Sequence, residues 1–191
     1  MKIIVIGASG TIGAAVAAAL EERHEVVRTS RTGSPAVDME DPESIAALLA
    51  AVGPVDAVVC CAASARMAPL DAPDAEFFRG LQGKLLGQVR LLRQALPHLR
   101  DGGSVTLTVG TFDPPMAGAA FGALVNAGLE AFVRAAALEL PRGLRVNAVS
   151  PGWVRETLLA MGRDGGTPAA DVARAYVEAV EGTITGQMIR P

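Results

Sequence analysis

Aromatic residues and lysines are scarce in this chain of 191 residues. It contains five phenylalanines, one tryptophan and a single tyrosine, Tyr176, so that 4% of its residues are aromatic while 50% are hydrophobic. The core must therefore be assembled mainly from Ala, Val, Leu and Ile side chains. Lys2 and Lys84 are its only lysines. Chemistry that needs a phenol or an amine consequently has very few candidate residues.

A strong excess of charge is also missing. The net charge is −3 at pH 7 and the isoelectric point is near 5.4, which gives no electrostatic reason to expect binding to nucleic acid or to an anionic membrane. No apolar run reaches the roughly 20 residues of a membrane-spanning helix. His, Cys and carboxylate residues are not clustered at metal-ligand spacing, so no metal site is expected.

Cysteine and histidine are rare as well. Cys60 and Cys61 are adjacent, and disulfide geometry disfavours a bond between neighbours. The N-terminus carries no basic segment before an apolar one, so we expect no signal peptide and a cytoplasmic protein with reduced thiols. Both cysteines end a buried strand and are expected to be packing residues. His24 and His98 lie near helix ends without an evident carboxylate partner in the sequence, and we expect structural roles for them.

The first thirteen residues, MKIIVIGASGTIG, organise the chain. The run IIVI is β-branched and apolar on both faces, which is typical of a central parallel strand. Gly7, Gly10 and Gly13 follow at three-residue spacing before a helix-forming, Ala-rich segment. Gly7 allows a tight turn, Gly10 lets backbone N–H groups approach a pyrophosphate, and Gly13 lets the helix pack on the strand. An ordinary turn with structural glycines is the alternative, but the pattern favours a dinucleotide site.

The residues that follow the second strand, 25–29, indicate which dinucleotide binds. A carboxylate at this strand end would bind the free 2′-hydroxyl of NAD. The chain instead has Arg28, Ser30 and Arg31, and charge-assisted bonds from arginine to a 2′-phosphate favour NADP. Arg31 is preferred to Arg28 because it lies just beyond the strand end. The alternative is that both arginines are solvated loop residues.

Strands and helices alternate along the rest of the chain. Strands are predicted over 3–6, 25–29, 36–39, 56–61, 104–109, 144–149 and 187–189, and helices over 14–20, 42–52, 77–99, 116–140 and 167–180. The alternation predicts one Rossmann-like domain, 1–191, with a doubly wound parallel sheet of about seven strands and helices on both faces. The Gly-rich span 154–167 is short, so we expect only a small lid over the crevice.

Several motifs now resemble those of the short-chain dehydrogenase/reductase family. The opening IGASGTIG resembles its glycine motif, and Val37-Asp38 its adenine-contacting aspartate. Residues 56–63 (DAVVCCAA) take the place of its strand ending in Asn-Asn-Ala-Gly. Residues 145–153 (RVNAVSPGW) are similar to its sixth strand and Pro-Gly loop, and 182–189 (GTITGQMI) to its closing Thr-Gly motif. The resemblance covers essentially the whole chain.

This resemblance implies an NADP(H) site and a set of contacts. The residues expected to bind the cofactor are Gly7, Ser9, Gly10, Thr11, Ile12, Gly13, Arg28, Ser30, Arg31, Asp38, Met39, Cys61, Ala62, Ala63, Asn126, Pro151, Gly152, Val154 and Thr157. Among these contacts, the resemblance implies that Asp38 would contact the adenine amino group and that Thr157 would contact the nicotinamide carboxamide.

The chain departs from the family at the catalytic set of Ser, Tyr and Lys with a supporting Asn. In that family the Tyr transfers the proton, the Lys lowers its pKa and the Ser orients the carbonyl. Alignment of Ala127-Gly128 with the end of the Tyr-x-x-x-Lys-Ala-Gly pattern puts Gly122 at the Tyr position and Asn126 at the Lys position. Tyr176 lies in a later helix and is expected to be a core or surface residue. The phenolic acid is therefore missing.

Three residues are candidates for its replacement. Lys84 falls at the position of the supporting Asn, and a partly buried lysine can act as an acid or base; the alternative is a solvated head group. Thr111 is the hydroxyl nearest to the Ser position, which falls at about 109–110, and could orient a carbonyl. Asn126 could bond a nicotinamide ribose hydroxyl. Ser64 and Arg66 could face substrate, or could simply be polar loop residues.

Three functions remain open at this point. The favoured one is an NADP(H)-dependent oxidoreductase acting on a small carbonyl compound or activated alkene with altered proton transfer. The others are an NADP(H)-binding protein without redox activity and a non-redox cyclase, dehydratase or isomerase. Helices 77–99 and 116–140 resemble the pair through which the family forms dimers and tetramers. We therefore expect a homodimer or homotetramer with a small-molecule substrate.

Overall fold

A six-stranded parallel sheet forms the centre of the molecule. The computed structural model describes residues 1–62 and 67–191. The strand order is β2-β1-β3-β4-β5-β6, and every neighbouring pair is parallel. The strands are β1 Lys2–Ile6, β2 Glu25–Thr29, β3 Val55–Cys60, β4 Leu99–Thr108, β5 Arg145–Val149 and β6 Met188–Ile189. The predicted doubly wound α/β class is confirmed, although the sheet has six strands instead of seven.

Helices cover both faces of this sheet. They are α1 Thr11–Glu21, α2 Pro42–Val52, α3 Asp74–Phe77, α4 Gln88–Ala95, α5 Ala120–Ala136, α6 Arg155–Ala160 and α7 Ala169–Glu181, with a π-helical segment Leu81–Gly87 and a 3-10 turn Leu96–His98. Ile4 and Ile6 pack with α2, α4 and α5, whereas Ile3 and Val5 pack with α1 and α7. Strand β1 is therefore buried on both faces, as its unbroken apolar run predicts. Of the described helices, none has the length and apolar character that crossing a bilayer requires.

The predicted strand 36–39 is wrong. In this segment only Ala36 makes a β-bridge, to Ser30. Pro35 has no N–H to donate to a ladder, and the Oδ1 atom of Asp38 accepts a hydrogen bond from the backbone N–H of Glu40 at 2.9 Å. That turn leads into α2, whose N-cap Asp41 accepts a hydrogen bond from the N–H of Glu43. The alternation of buried and exposed residues here comes from a turn.

The predicted helix 77–99 is broken into four pieces, and Leu99 already belongs to β4. Gly80 has φ of 104°, a left-handed conformation that separates α3 from the π-helical segment. A Cβ atom on Gly87 would lie 2.3 Å from the carbonyl oxygen of Met39, so the segment packs backbone to backbone against the chain before α2. The predicted helix 116–140 is shorter, because α5 covers only Ala120–Ala136.

The segment between β5 and α7 contains helix α6, which the sequence analysis missed. Its two ends are joined, because the N–H of Arg155 donates to the carbonyl of Thr167 and the N–H of Thr167 donates to the carbonyl of Trp153, each at 2.9 Å. The Glu156 carboxylate accepts from the N–H of Ala169 at 2.9 Å and so caps α7. Tertiary hydrogen bonds, and not local preference, hold this six-residue helix.

Candidate functional site

The glycine turn after β1 has two glycines that the packing requires and one that it does not. Gly7 has φ of +81°, and a Cβ atom there would lie 2.7 Å from the nitrogen of Ala62. A Cβ atom on Gly13 would lie 2.1 Å from the carbonyl oxygen of Gly7. On Gly10, however, the nearest heavy atom would be the carbonyl oxygen of Gly7 at 3.4 Å. Gly10 therefore leaves open space above the turn.

The N-terminus of α1 borders that space. Gly10 is the N-cap and offers no side chain, and the first turn contains no acidic residue. Within residues 1–62 and 67–191, the backbone N–H groups of Thr11, Ile12 and Gly13 have no backbone acceptor. Free donors at a helix start bind anions, and the helix dipole favours negative charge there. The open side of Gly10 and these donors fit a phosphate group.

A cavity of about 310 Å³ begins at this turn. It brings together ten of the predicted site residues: Gly7, Ser9, Gly10, Ser30, Arg31, Asp38, Met39, Cys61, Ala62 and Lys84. Ile6, Val37, Glu40 and Gly83 also line it. Val37 was named from the sequence only as the neighbour of Asp38, and the other three are each adjacent to a predicted site residue. The cavity thus joins the carboxyl ends of β1, β2 and β3 to the π-helical segment.

The two predicted arginines have different surroundings. Arg28 makes a two-pronged ion pair with Glu21 of α1, at 2.6 Å from Nε and 2.6 Å from Nη2, and the hydrogen bond from Arg28 lowers the pKa of the Glu21 carboxyl. Arg31 lines the cavity and has no ion pair with another described residue. Arg31 is therefore the arginine that remains available to an anion in the cavity.

Lys84 lies in the π-helical segment and lines the cavity. Burial lowers the pKa of its amine, because removal from water disfavours the charged form. In the part of the chain that the structure describes, its Nζ atom makes no hydrogen bond or ion pair. Lys2, in contrast, donates from Nζ to the carbonyl of Val52 at 2.7 Å. Lys84 is thus a half-buried amine without an ion pair among these residues, in a cavity that Asp38 and Glu40 also line.

At the predicted position of the catalytic tyrosine, the structure has a phenylalanine ring. A Cβ atom on Gly122 would lie 3.0 Å from Cε2 of Phe112, so this ring lies against α5 where a longer side chain would start. Asn126, one turn later, is 7% exposed. Its Oδ1 atom has no partner among the described residues, and its amide lies over Gly110, where a Cβ atom would be 3.2 Å from Nδ2.

The remaining predicted residues lie outside the lining of this cavity. Thr111 and Gly152 are neighbours at the ends of β4 and β5, because a Cβ atom on Gly152 would lie 4.0 Å from Cγ2 of Thr111. Val154 forms a bridge with Thr167. The other residues are Pro151, which is buried, and Thr157, which lies in α6. Ala63, Ser64 and Arg66 lie outside the described residues.

Tyr176, which the sequence predicted to be either a core or a surface residue, is a core residue. It is completely buried, and its hydroxyl lies 2.6 Å from Oγ1 of Thr108. Burial raises the pKa of this phenol well above its usual range. It also raises the pKa of the Cys60 thiol to about 12, and it raises the pKa of the Cys61 thiol above its usual range. These groups stay protonated at neutral pH, so none of them is an activated nucleophile or base.

His24 does have a carboxylate partner, which corrects the expectation from the sequence. Its Nε2 atom lies 2.9 Å from Oε1 of Glu181, at the end of α7. The two residues are 157 positions apart, so that only the packing of α1 on α7 brings them together. Across residues 1–62 and 67–191, no group of His, Cys and carboxylate side chains has the arrangement of a metal site.

Comparison with known proteins gives consistent results for sequence and structure. A family model described as enoyl-(acyl carrier protein) reductase matches residues 7–181. Versicolorin reductase 1 of Aspergillus parasiticus is 29% identical, over 84% of this chain and 72% of that protein. The solved structure of the protein lin1944 from Listeria innocua is 37% identical with a TM-score of 0.95, and the match covers 100% of this chain and 98% of that one.

A further solved structure, described as a small-chain dehydrogenase in complex with NADPH, is 29% identical. Its TM-score is 0.88, and the match covers 100% of this chain and 96% of that one.

Proposed function

Because this chain belongs to the short-chain dehydrogenase/reductase family, we propose that it is an NADP(H)-dependent oxidoreductase acting on a small carbonyl compound or activated alkene. One observation carries the proposal. A single cavity is lined by the glycine turn, by Arg31 without an ion pair among the described residues, and by the half-buried amine of Lys84. Phosphate recognition and a proton-carrying group therefore border the same space.

NADP(H) is supported as the cofactor by charge and by free donors. The N-terminus of α1 would hold the pyrophosphate, Ser30 and Arg31 the 2′-phosphate, and Asp38 the adenine amino group. The relative that was solved with NADPH shares 29% of its residues with this chain. Arg28 is not needed for this site, since Glu21 already neutralises it.

When bound, NADPH supplies a hydride. The residues of the chain then have to orient the acceptor and deliver a proton. Lys84 would donate the proton, because a lowered pKa makes its ammonium a stronger acid near neutral pH. Thr111 would orient the carbonyl with its hydroxyl, and the unpartnered Asn126 amide would bond a ribose hydroxyl. General acid catalysis contributes about 10²- to 10⁴-fold, so the rate of turnover depends on how well Lys84 replaces the phenol.

The alternative is an NADP(H)-binding protein without redox activity, and one observation favours it. The ring of Phe112 lies against Gly122, so the space beside α5 at the predicted tyrosine position is filled with a group that carries no proton. Such a protein would bind the dinucleotide and give no turnover with any carbonyl compound.

We also propose that the protein is a homodimer or homotetramer, formed through α5 and the helices around 77–99. The exposed face of α5 consists mainly of alanines, with Leu124 at 64% exposure in its first half. Small residues allow two such helices to pack closely across a two-fold axis. Light scattering at micromolar concentration checks this, and a uniform monomer would contradict it.

Calorimetric titration with NADPH, NADP⁺ and NADH tests the cofactor assignment. Arg31→Ala should weaken NADPH binding by about 10-fold or more, because charge-assisted hydrogen bonds contribute roughly 1.5–3 kcal/mol, and should leave NADH binding unchanged. Arg28→Ala is the matched control and should bind NADPH as the parent does. If no nucleotide binds to the parent protein, both candidate functions are wrong. Turnover of NADPH with an activated dicarbonyl compound then separates the enzyme from the binding protein.

A further inference from the structure

Gln88, the first residue of α4, is a completely buried amide with three short hydrogen bonds. Its Nε2 atom donates to the carbonyl of Lys84 at 2.8 Å and to the carbonyl of Thr108 at 2.9 Å. Its Oε1 atom accepts from the backbone N–H of Thr108 at 2.8 Å, and the residue is 0% exposed. A buried amide with this many partners fixes the groups that it bonds.

Toward β4, the side chain of Gln88 makes the backbone hydrogen bonds that a neighbouring strand would otherwise make. The pairing between β3 and β4 ends at Val59 and Thr106. Beyond that point the side chain of Gln88 satisfies both the N–H and the C=O of Thr108, as the next residue of a paired strand would do. The chain continues from Thr108 into the loop that carries Thr111. Gln88 therefore fixes the point from which this loop leaves the sheet.

On the helix side, Gln88 holds the π-helical segment that carries Lys84. Two close approaches fix the opposite side of the same segment. A Cβ atom on Gly83 would lie 3.2 Å from Cγ of Glu40, and one on Gly87 would lie 2.3 Å from the carbonyl oxygen of Met39. The segment is thus held between the cavity wall and the end of β4. π-Helical turns in proteins are frequently found at functional sites.

We propose that Gln88 is a positioning residue, which sets the place of Lys84 relative to the cavity and to the end of β4. The proposal rests on the proposed role of Lys84 as the proton donor. Gln88 itself does not contact substrate; it acts through the backbone carbonyl of Lys84 and through Thr108.

Tyr176 offers a matched control for the loss of a buried hydrogen bond. Its hydroxyl bonds the Oγ1 atom of the same residue, Thr108, from the opposite face of the sheet. Tyr176→Phe therefore removes a buried bond at Thr108 while it leaves every contact of the π-helical segment in place. If the role of Gln88 were purely structural, the two substitutions would have the same effect on the titration midpoint of Lys84 and on turnover.

The experiment uses the fact that the chain has two lysines only. Incorporation of lysine labelled with ¹³C at Cε gives two NMR signals, and Lys2 serves as the internal reference. In Gln88→Met, we expect the titration midpoint of Lys84 to move up toward that of an ordinary lysine, because the released segment exposes the amine to water. NADPH turnover with diacetyl should fall about 10- to 100-fold, with NADPH affinity unchanged.

Tyr176→Phe should leave the Lys84 midpoint unchanged and turnover within about twofold of the parent. An unchanged Lys84 midpoint in folded Gln88→Met, or equal shifts in both variants, overturns the proposal. If Gln88→Met does not fold, Gln88→Asn decides in the same way, since it keeps an uncharged amide on a side chain that is one methylene shorter. Lys84→Met with full turnover would reject the role of Lys84, while the NMR titration still decides whether Gln88 positions it.

Discussion

The two ends of the candidate site, the β1–α1 turn and the start of α5, differ in how closely their residues resemble the motifs of the family. At the β1–α1 turn, Gly7 and Gly13 are required by contacts below 3 Å, and Gly10 leaves room for a ligand. At the start of α5, the positions that the sequence alignment assigns to the family's acid and lysine hold Gly122 and Asn126, and the ring of Phe112 lies against Gly122. Because different elements build the two ends, a substitution at one end can leave the other end unchanged.

The largest effect is expected at the glycine turn. Gly13→Ala should destabilise the fold by about 3 kcal/mol, because its Cβ atom would meet the carbonyl oxygen of Gly7 at 2.1 Å. Gly10→Ala is the matched variant: it should unfold at the parent's denaturant concentration but bind NADPH about 10- to 100-fold more weakly. Chemical denaturation and calorimetry check this. Equal loss of stability in both variants would show that Gly10 is only a packing residue.

The second-largest effect is expected when Lys84 is replaced. Lys84→Met should lower NADPH turnover by about 10²- to 10⁴-fold and leave nucleotide affinity nearly unchanged. Reduction needs the ammonium form, so the parent's rate should be highest below the pKa of Lys84 and fall as pH rises through it. Burial lowers that pKa, so the fall comes at lower pH than for an ordinary lysine. The pH–rate profile of Lys84→Met should lack this fall.

Lys84→Arg is the control for this prediction, because it keeps a positive charge that does not deprotonate in the accessible range. If Lys84 is the proton donor, this variant should be as slow as Lys84→Met. Full activity of Lys84→Arg would instead mean that a fixed charge is sufficient.

The smallest effect is expected for Asn126→Leu. The buried Oδ1 atom of Asn126 has no partner among the described residues, so an apolar side chain of similar size should stabilise the fold by about 1 kcal/mol. The same change should weaken NADPH binding about 10-fold if the amide bonds a ribose hydroxyl. Denaturation and calorimetry measure the two changes separately. Greater stability with unchanged affinity would contradict a binding role.

The sequence predicted the elements whose signals are local. The apolar run of β1, the glycine turn and the helix over 42–52 all depend on neighbouring residues, and the structure has each of them. The strand predicted over 36–39 failed for a related reason, since a turn buries Val37 and Met39 in the same alternation that a strand gives.

What the sequence did not predict depends on residues far apart in the chain. The π-helical segment is joined through Gln88 to Thr108, 20 residues away from Gln88, and no local pattern indicates it. The ion pair of Glu21 with Arg28, seven positions later in the chain, forms because α1 packs beside β2. The partner of His24 lies at the end of α7. Each of these contacts is tertiary.

The two ends of the segment between β5 and α7 are joined to each other, and this has a consequence for engineering. Backbone hydrogen bonds among Trp153, Arg155 and Thr167 join these two ends. The stretch between them is therefore held at its ends and does not depend on contacts made by its tip. The entropy of closing a loop grows only slowly with its length. Residues 159–165, which are all exposed, can therefore be exchanged for longer inserts while the buried Leu158 and the sheet remain as they are.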